Sequence, residues 1–209
     1  MSFDIDITLQ RGDRLIAAAF SVPAGITALF GPSGAGKTSI LQAAAGLLKP
    51  QRGRIIAGDV VLFDSATKTN LPPEHRACGY VFQDIRLFPH KRVRDNLLYG
   101  WQLASEERRW MALEEATDFL GIAHLLDRMP RTLSGGEAQR VAIGRALLSG
   151  PRYLLMDEPL SSLDVARRGE IMIVIERIRD ELGLPILYVT HDREEVRRLA
   201  DQVVEVGVG

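Results

Sequence analysis

The sequence predicts an α/β fold in which an N-terminal antiparallel β subdomain and an inserted helical subdomain flank a largely parallel sheet. Three observations predict it. Phe3-Asp4-Ile5-Asp6-Ile7-Thr8-Leu9 alternates apolar and polar residues, the period-two pattern of a half-exposed antiparallel strand. Ile26–Phe30, Tyr153–Met156 and Ile186–Val189 are nearly continuous apolar runs, as expected of parallel strands covered on both faces. Segments of helical period lie between these runs, and the stretch from Val93 to Ser149 contains no convincing strand pattern.

In chain order, the first strand turns at Gly12-Asp13 into a second run of the same kind. The buried run Ile26–Phe30 leads through a glycine-rich turn into a helix expected over Thr38–Leu48. A strand is expected at Gly79–Phe82, and helices over Glu106–Leu120 and Ser134–Leu148 inside the inserted subdomain. After the strand Tyr153–Met156, a helix over Val165–Leu182 puts Ile171, Ile175, Ile178 and Leu182 on one face. Ile186–Val189 and Val203–Val206 supply the last strands. The approximate division is a single domain over 1–209, with 1–86 and 151–209 forming the α/β core and its β subdomain, and 87–150 the helical subdomain.

Composition narrows the function. The 209 residues carry 26 basic and 27 acidic side chains, a net charge of -1, so the chain lacks the footprint of whole-surface binding to nucleic acid or anionic lipid. No nucleic-acid partner is expected. The single cysteine, Cys78, excludes an internal disulfide and a CxxC metal site, and it fits a reducing compartment. Met1-Ser2-Phe3-Asp4 is not a basic segment followed by an apolar run, and the early apolar stretch Leu15–Phe30 is broken by Ser21, Pro23, Gly25 and Thr27. Neither a signal peptide nor a membrane span is therefore expected. Lysine occurs only at Lys37, Lys49, Lys68 and Lys91, which singles out Lys37 within its glycine cluster.

Three motifs carry chemistry. Gly31-Pro32-Ser33-Gly34-Ala35-Gly36-Lys37-Thr38 matches the phosphate-loop pattern GxxxxGK[ST] and lies between a buried strand and a helix, the context the motif requires. Its glycines let backbone N–H groups face phosphate oxygens, and the helix adds its positive dipole end. Lys37 is expected on the β- and γ-phosphates and the Thr38 hydroxyl on Mg²⁺. Tyr153–Met156 ends in Asp157-Glu158. Alone, two acids at a strand end read as a solvated turn; beside a phosphate loop they read as a metal-side Asp157 and a water-polarising Glu158. Leu133-Ser134-Gly135-Gly136-Glu137 opens a helix as a capping box. Two glycines in a first turn cost roughly 1 kcal/mol each relative to alanine, which is expected where something must approach the backbone closely. The chain thus has two phosphate-binding helix starts, one with a lysine and one without.

These motifs, in this order, resemble the ATP-binding subunits of ABC transporters, with LSGGE as the signature, over nearly the whole chain. The resemblance implies a P-loop NTPase fold of the ABC type, ATP with Mg²⁺, and a homodimer in which Ser134, Gly135 and Gly136 close over ATP bound to the opposite chain. It implies that Gln83 reaches the Mg²⁺ and links the helical subdomain to the sheet. It also implies that Ser161-Ser162-Leu163-Asp164 crosses the dimer axis, with Asp164 as its acid, and that His191 hydrogen-bonds the γ-phosphate. His75, His90 and His124 receive no role.

Gly79–Asp84, Arg86–His90, Val93–Leu97 and Tyr99-Gly100, with Phe30 and Val141–Leu147, are similar to the ATPases of molybdate importers; sulfate, polyamine and sugar importers share much of this region. The implied partners are integral-membrane permease subunits and, indirectly, a solute-binding protein, at the cytoplasmic face of the bacterial inner membrane. Two departures stand out. Such ATPases usually carry a C-terminal accessory domain that can sense the oxyanion, and this sequence stops at Gly209. The turn Gln10–Arg14, where the family often stacks an aromatic on adenine, has none; either Arg11 or Arg14 stacks by its guanidinium plane, or base selectivity is loose. The length speaks against a soluble ABC ATPase acting on DNA or ribosomes, and the Arg86–Gly100 resemblance against an exporter. Leu87, Phe88 and Pro89, among Arg86, His90, Lys91, Arg92 and Arg94, fit a permease-docking surface over Asp84–Gly100, with core packing of Leu87 and Phe88 as the other reading.

Overall fold

The computed structural model describes residues 3–207. Met1 and Ser2, on which part of the reading of the amino terminus rests, lie outside the described residues, as do Val208 and Gly209. Two five-stranded sheets organise the chain. The first is antiparallel in the order β2(Arg14–Val22), β1(Phe3–Arg11), β4(Arg52–Ala57), β5(Val60–Asp64), β6(Thr69–Asn70). The second is parallel in the order β10(Gln202–Glu205), β3(Ile26–Phe30), β9(Ile186–Thr190), β8(Tyr153–Asp157), β7(Cys78–Val81).

The period-two pattern of β1 is realised directly. Phe3, Ile5, Ile7 and Leu9 are buried while Asp4 and Asp6 face solvent. The apolar runs β8 and β9 are buried at every position because the parallel sheet is covered on both faces. On one face, Tyr153, Leu155, Leu187 and Val189 pack with β1 and with helix α1(Lys37–Ala45). On the other, Leu154, Met156 and Tyr188 pack with α4(Gly135–Leu148) and α5(Val165–Arg177).

Between Val93 and Ser149 the described residues form helices and 3-10 turns, with α2(Val93–Leu103), α3(Leu113–Leu120) and α4 as the full helices. Here the structure corrects the expected helix over Glu106–Leu120. A 3-10 turn at Glu106–Arg108 is followed by a break, and α3 starts only at Leu113. The break has a physical cause: Arg109 lays its guanidinium 4.2 Å from the Trp101 ring centroid and donates from Nε to the Trp101 carbonyl at 2.9 Å, which folds the chain back onto α2. Helices α2 and α3 both meet α4 closely enough that a Cβ at Gly144 would lie 2.8 Å from Leu97 and from Leu120. The helix expected over Val165–Leu182 is α-helical to Arg177 and then continues as a π-turn over Ile178–Leu182. Ile171, Ile175 and Ile178 are fully buried, and Leu182 packs at the rim of the same core. Among the described residues, no helix is long and apolar enough to cross a membrane.

Candidate functional site

The site lies at the carboxyl ends of the parallel strands. β3 leads into the glycine-rich turn, and α1 begins at Lys37 with no side chain capping it. Gly36 has φ 99°, and a Cβ there would lie 2.7 Å from Ile16, because the β1–β2 hairpin lies against the turn. Only glycine satisfies both constraints. The result is an uncapped helix start whose backbone donors can receive an anion.

Lys37 is almost fully buried, and its Nζ donates to the carbonyls of Gly31 at 2.7 Å and Pro32 at 2.9 Å. Burial lowers the pKa of this ammonium, opposed by the nearby charges of Glu158 and Asp157. At the end of β8, Asp157 is buried and accepts hydrogen bonds from Thr38 Oγ1 at 2.8 Å and from Tyr80 Oη at 3.3 Å. Burial raises its pKa against the effect of both hydroxyls. Glu158 follows in a left-handed conformation, φ 43°, with its N–H bonded to the Val189 carbonyl. Its carboxylate accepts from Gln83 Nε2 at 3.4 Å and lies 3.3 Å from His191 Nδ1. Ser161 Oγ donates to the Glu158 carbonyl at 2.9 Å and holds the turn from behind.

A pocket of about 450 Å³ opens over this group. Ser33, Gly34, Gly36, Lys37 and Thr38 line it, with Gln83 and Glu158 at one side and Arg11, Arg14 and Ile16 at the other. Arg11 donates to Ser39 Oγ at 3.1 Å and Arg14 to the Gly34 carbonyl at 3.4 Å. Both arginines of the hairpin turn therefore border the pocket. Ala35 instead packs into the core on the α1 side of the sheet.

The donor set suits Mg²⁺. A buried carboxylate and a hydroxyl within hydrogen-bonding distance of each other offer oxygen ligands to a hard cation. Among the described residues, no group of three or more His, Cys, Asp or Glu could hold a metal. One carboxylate supplemented by ligand phosphates is the usual arrangement for Mg²⁺ in nucleotide sites.

The structure thus brings Lys37, Thr38, Gln83, Asp157, Glu158 and His191 together. It does not bring Ser134, Gly135, Gly136 or Asp164 to this pocket. Ser134 caps α4: its N–H donates to Glu137 Oε2 at 2.7 Å, and its Oγ accepts from the Glu137 N–H at 3.4 Å. These bonds hold the Glu137 carboxyl below the usual range. A Cβ at Gly135 would lie 3.2 Å from Leu163, so part of the reason for that glycine is within the chain. Asp164 caps α5 through the Arg167 N–H at 3.0 Å.

Sequence reasoning missed three contributors. Tyr80 is one, although its place at the end of β7 beside β8 is a signal that strand pairing could have given. Arg168 ties two loops of the site together, donating to the Leu163 carbonyl at 2.9 Å and to Asp192 at 3.3 Å. Glu195 is buried and accepts from Tyr188 Oη at 2.9 Å, and burial raises its pKa.

An α/β sheet with an uncapped helix start after a glycine-rich turn and two strand-end acids beside it is an arrangement suited to a nucleotide. The family model of the ABC transporter matches residues 17–161, and the chain belongs to this family. Among its relatives, the molybdenum import ATP-binding protein ModC of Brucella suis is 55% identical over 205 residues, covering 98% of this chain and 57% of the relative. ModC of Rhodospirillum rubrum is 52% identical over 206 residues, 99% of this chain and 56% of that protein. The chain therefore spans a little over half the length of these curated relatives. The solved dimeric structure of MJ0796, a bacterial ABC transporter cassette, matches 100% of this chain and 95% of its own, with TM-score 0.78 and 25% identity.

Proposed function

We propose that the chain is the ATP-hydrolysing cassette of a molybdate importer. The observation that carries the reading is one cluster at the strand ends: Lys37, Thr38, Gln83 and Glu158 line a common pocket, Asp157 accepts from Thr38 behind it, and His191 lies against Glu158. Identity of 51–55% to several ModC proteins supports molybdate over the other importer solutes.

In this reading the N–H groups of the Gly31–Gly36 turn and the start of α1 bind the phosphates, and Lys37 turns from the Gly31 and Pro32 carbonyls onto the β- and γ-oxygens. Thr38, Asp157 and Gln83 hold Mg²⁺. The chemistry that Mg²⁺ supplies when bound is neutralisation of charge developing on the phosphate oxygens. Glu158 orients the attacking water and takes its proton, and His191 donates to the γ-phosphate. Arg11 or Arg14 covers the adenine. Ser134, Gly135, Gly136 and Asp164 act on the nucleotide of a second copy of the chain, and residues 87–150 move as the helical subdomain against 1–86 and 151–209. Permease subunits hold the cassette at the cytoplasmic face of the membrane, with a solute-binding protein beyond it.

The test is reconstitution of the protein with its permease and solute-binding protein in vesicles. Molybdate is expected to stimulate ATP hydrolysis more than sulfate at equal concentration; stimulation by sulfate alone overturns the solute assignment.

Permease docking is proposed at the surface Asp84–Gly100, from which Arg86, Phe88, Tyr99 and Gly100 border a groove of about 370 Å³. Leu87 packs against the core, whereas Phe88 meets Tyr99 in the groove at a ring distance of 4.6 Å. Replacing Phe88 and Arg94 together with alanine is expected to abolish molybdate uptake in vesicles while basal ATP hydrolysis and melting temperature stay near wild type. Normal uptake by this variant counts against the docking surface.

A further inference from the structure

The loop from Gln83 to α2 is built in two unlike halves. Its second half is fixed by Asn96, a fully buried residue of α2. Asn96 Oδ1 accepts from the Phe88 N–H at 2.8 Å, and Nδ2 donates to the carbonyls of Phe88, Lys91 and Arg92 at 3.2, 3.0 and 3.1 Å. The first half has only local bonds from within: the Ile85 N–H to the Phe82 carbonyl at 3.0 Å, the Arg86 N–H to the Asp84 carbonyl at 2.6 Å, and an exposed pair of Arg86 Nε with the Asp84 carboxylate at 2.8 and 3.0 Å. Ile85 and Arg86 are consecutive left-handed residues, with φ 63° and 49°, and for β-branched Ile85 that conformation is a true outlier. A turn of this kind persists only where its surroundings hold it.

Arg145, on α4, supplies the hold from outside the loop. It donates from Nη2 to the Ile85 carbonyl at 3.2 Å and from Nη1 to the Arg86 carbonyl at 2.7 Å, and its guanidinium lies 5.3 Å from the Phe88 ring centroid. No carboxylate among the described residues pairs with it. A partly buried guanidinium without a counter-charge is an expensive way to fill space, and two carbonyls aimed at one planar fork explain why this side chain stands there. Gln83 lies two residues before the strained turn, and Ser134–Gly136 form the start of the helix that carries Arg145.

We propose that Arg145 is a positioning residue that makes Gln83 and helix α4 move together. It fixes the Ile85–Arg86 turn to α4, so that the placement of Gln83 at the nucleotide and the orientation of the α4 start are one variable. This inference rests on the ATPase reading above.

A double-mutant cycle on the reconstituted complex tests it. Arg145→Met is expected to lower kcat about tenfold while affinity for a fluorescent ATP analogue changes by less than about twofold, because Arg145 does not border the nucleotide pocket. Arg145→Lys, which can keep one carbonyl bond, should fall between Arg145→Met and wild type. Adding Arg145→Met to Gln83→Ala should change kcat by less than about twofold, since a residue that acts through Gln83 has nothing left to act on. If Arg145→Met fails to fold, Arg145→Lys is carried through the same cycle.

Wild-type turnover in Arg145→Met overturns the proposal. So do effects of the two substitutions that multiply, or a loss of kcat matched by an equal loss of nucleotide binding. A wild-type complex that neither binds nor hydrolyses ATP sinks the ATPase reading itself, and the failure is then visible before any Arg145 variant is made.

Discussion

Glu158→Gln is expected to lower ATP turnover by about 10² to 10⁴, the range for loss of a positioned base. Binding of ATP should survive, because Lys37, Thr38 and the glycine turn are untouched, and the variant should accumulate unhydrolysed ATP. The substitution is close to isosteric, and an amide oxygen can still accept from Gln83 Nε2. Glutamine must adopt the same left-handed backbone at φ 43°. That strain, of the order of 1–3 kcal/mol, is present in both proteins and cancels in the comparison. Melting temperatures within a degree or two of each other would show that the loss is chemical rather than structural. Wild-type turnover by Glu158→Gln would remove the residue from its assigned role.

Lys37→Ala and Ser134→Arg chains are each expected to be inactive alone and to complement one another when mixed. The two helix starts, at Lys37 and Gly135, belong to different surfaces of one chain, and neither Ser134 nor Gly136 borders the pocket beside Lys37. A site completed by a second copy resolves this separation. In a mixed dimer, the intact turn of the Ser134→Arg chain should face the intact signature of the Lys37→Ala chain, so one composite site is expected to be restored. ATP-driven association read by light scattering reports its formation even if turnover requires both sites. Ser134→Arg also removes a helix cap, at a cost of about 0.5–2 kcal/mol, and its melting temperature must be measured alongside. Absence of ATP-driven dimerisation in the Glu158→Gln chain with its permease present rejects the composite site.

Much of this arrangement is legible in the sequence because it depends on local pattern. β1 announces itself by alternation, β8 and β9 by unbroken apolar runs, and the turn before α1 by glycine spacing between a strand and a helix. Gln83, Asp157, Glu158 and His191 each lie within two residues of the end of an expected strand, so their meeting at one edge of the sheet follows from parallel pairing. What escapes the sequence is tertiary. The helix expected from Glu106 is broken because Arg109 finds Trp101 across the α2 end, a contact that apolar periodicity does not report. Arg168 and Arg145 read as ordinary surface arginines on helices, and only partners remote in the chain, the Asp192 carboxylate for Arg168 and the Ile85 and Arg86 carbonyls for Arg145, give them meaning. The left-handed turn at Ile85–Arg86 opposes local propensity, since isoleucine is among the residues least suited to it, and so could not be foreseen from residue type.

Strand β8 has a consequence for how the protein comes apart. Its side chains are divided between the two faces of the parallel sheet, Leu155 toward one core and Leu154 and Met156 toward the other. Neither core can melt while its neighbour stays ordered, because the strand they share would have to be folded and unfolded at once. The described residues should therefore behave as one cooperative unit, with a single calorimetric transition and the slowest amide exchange along Leu154–Met156.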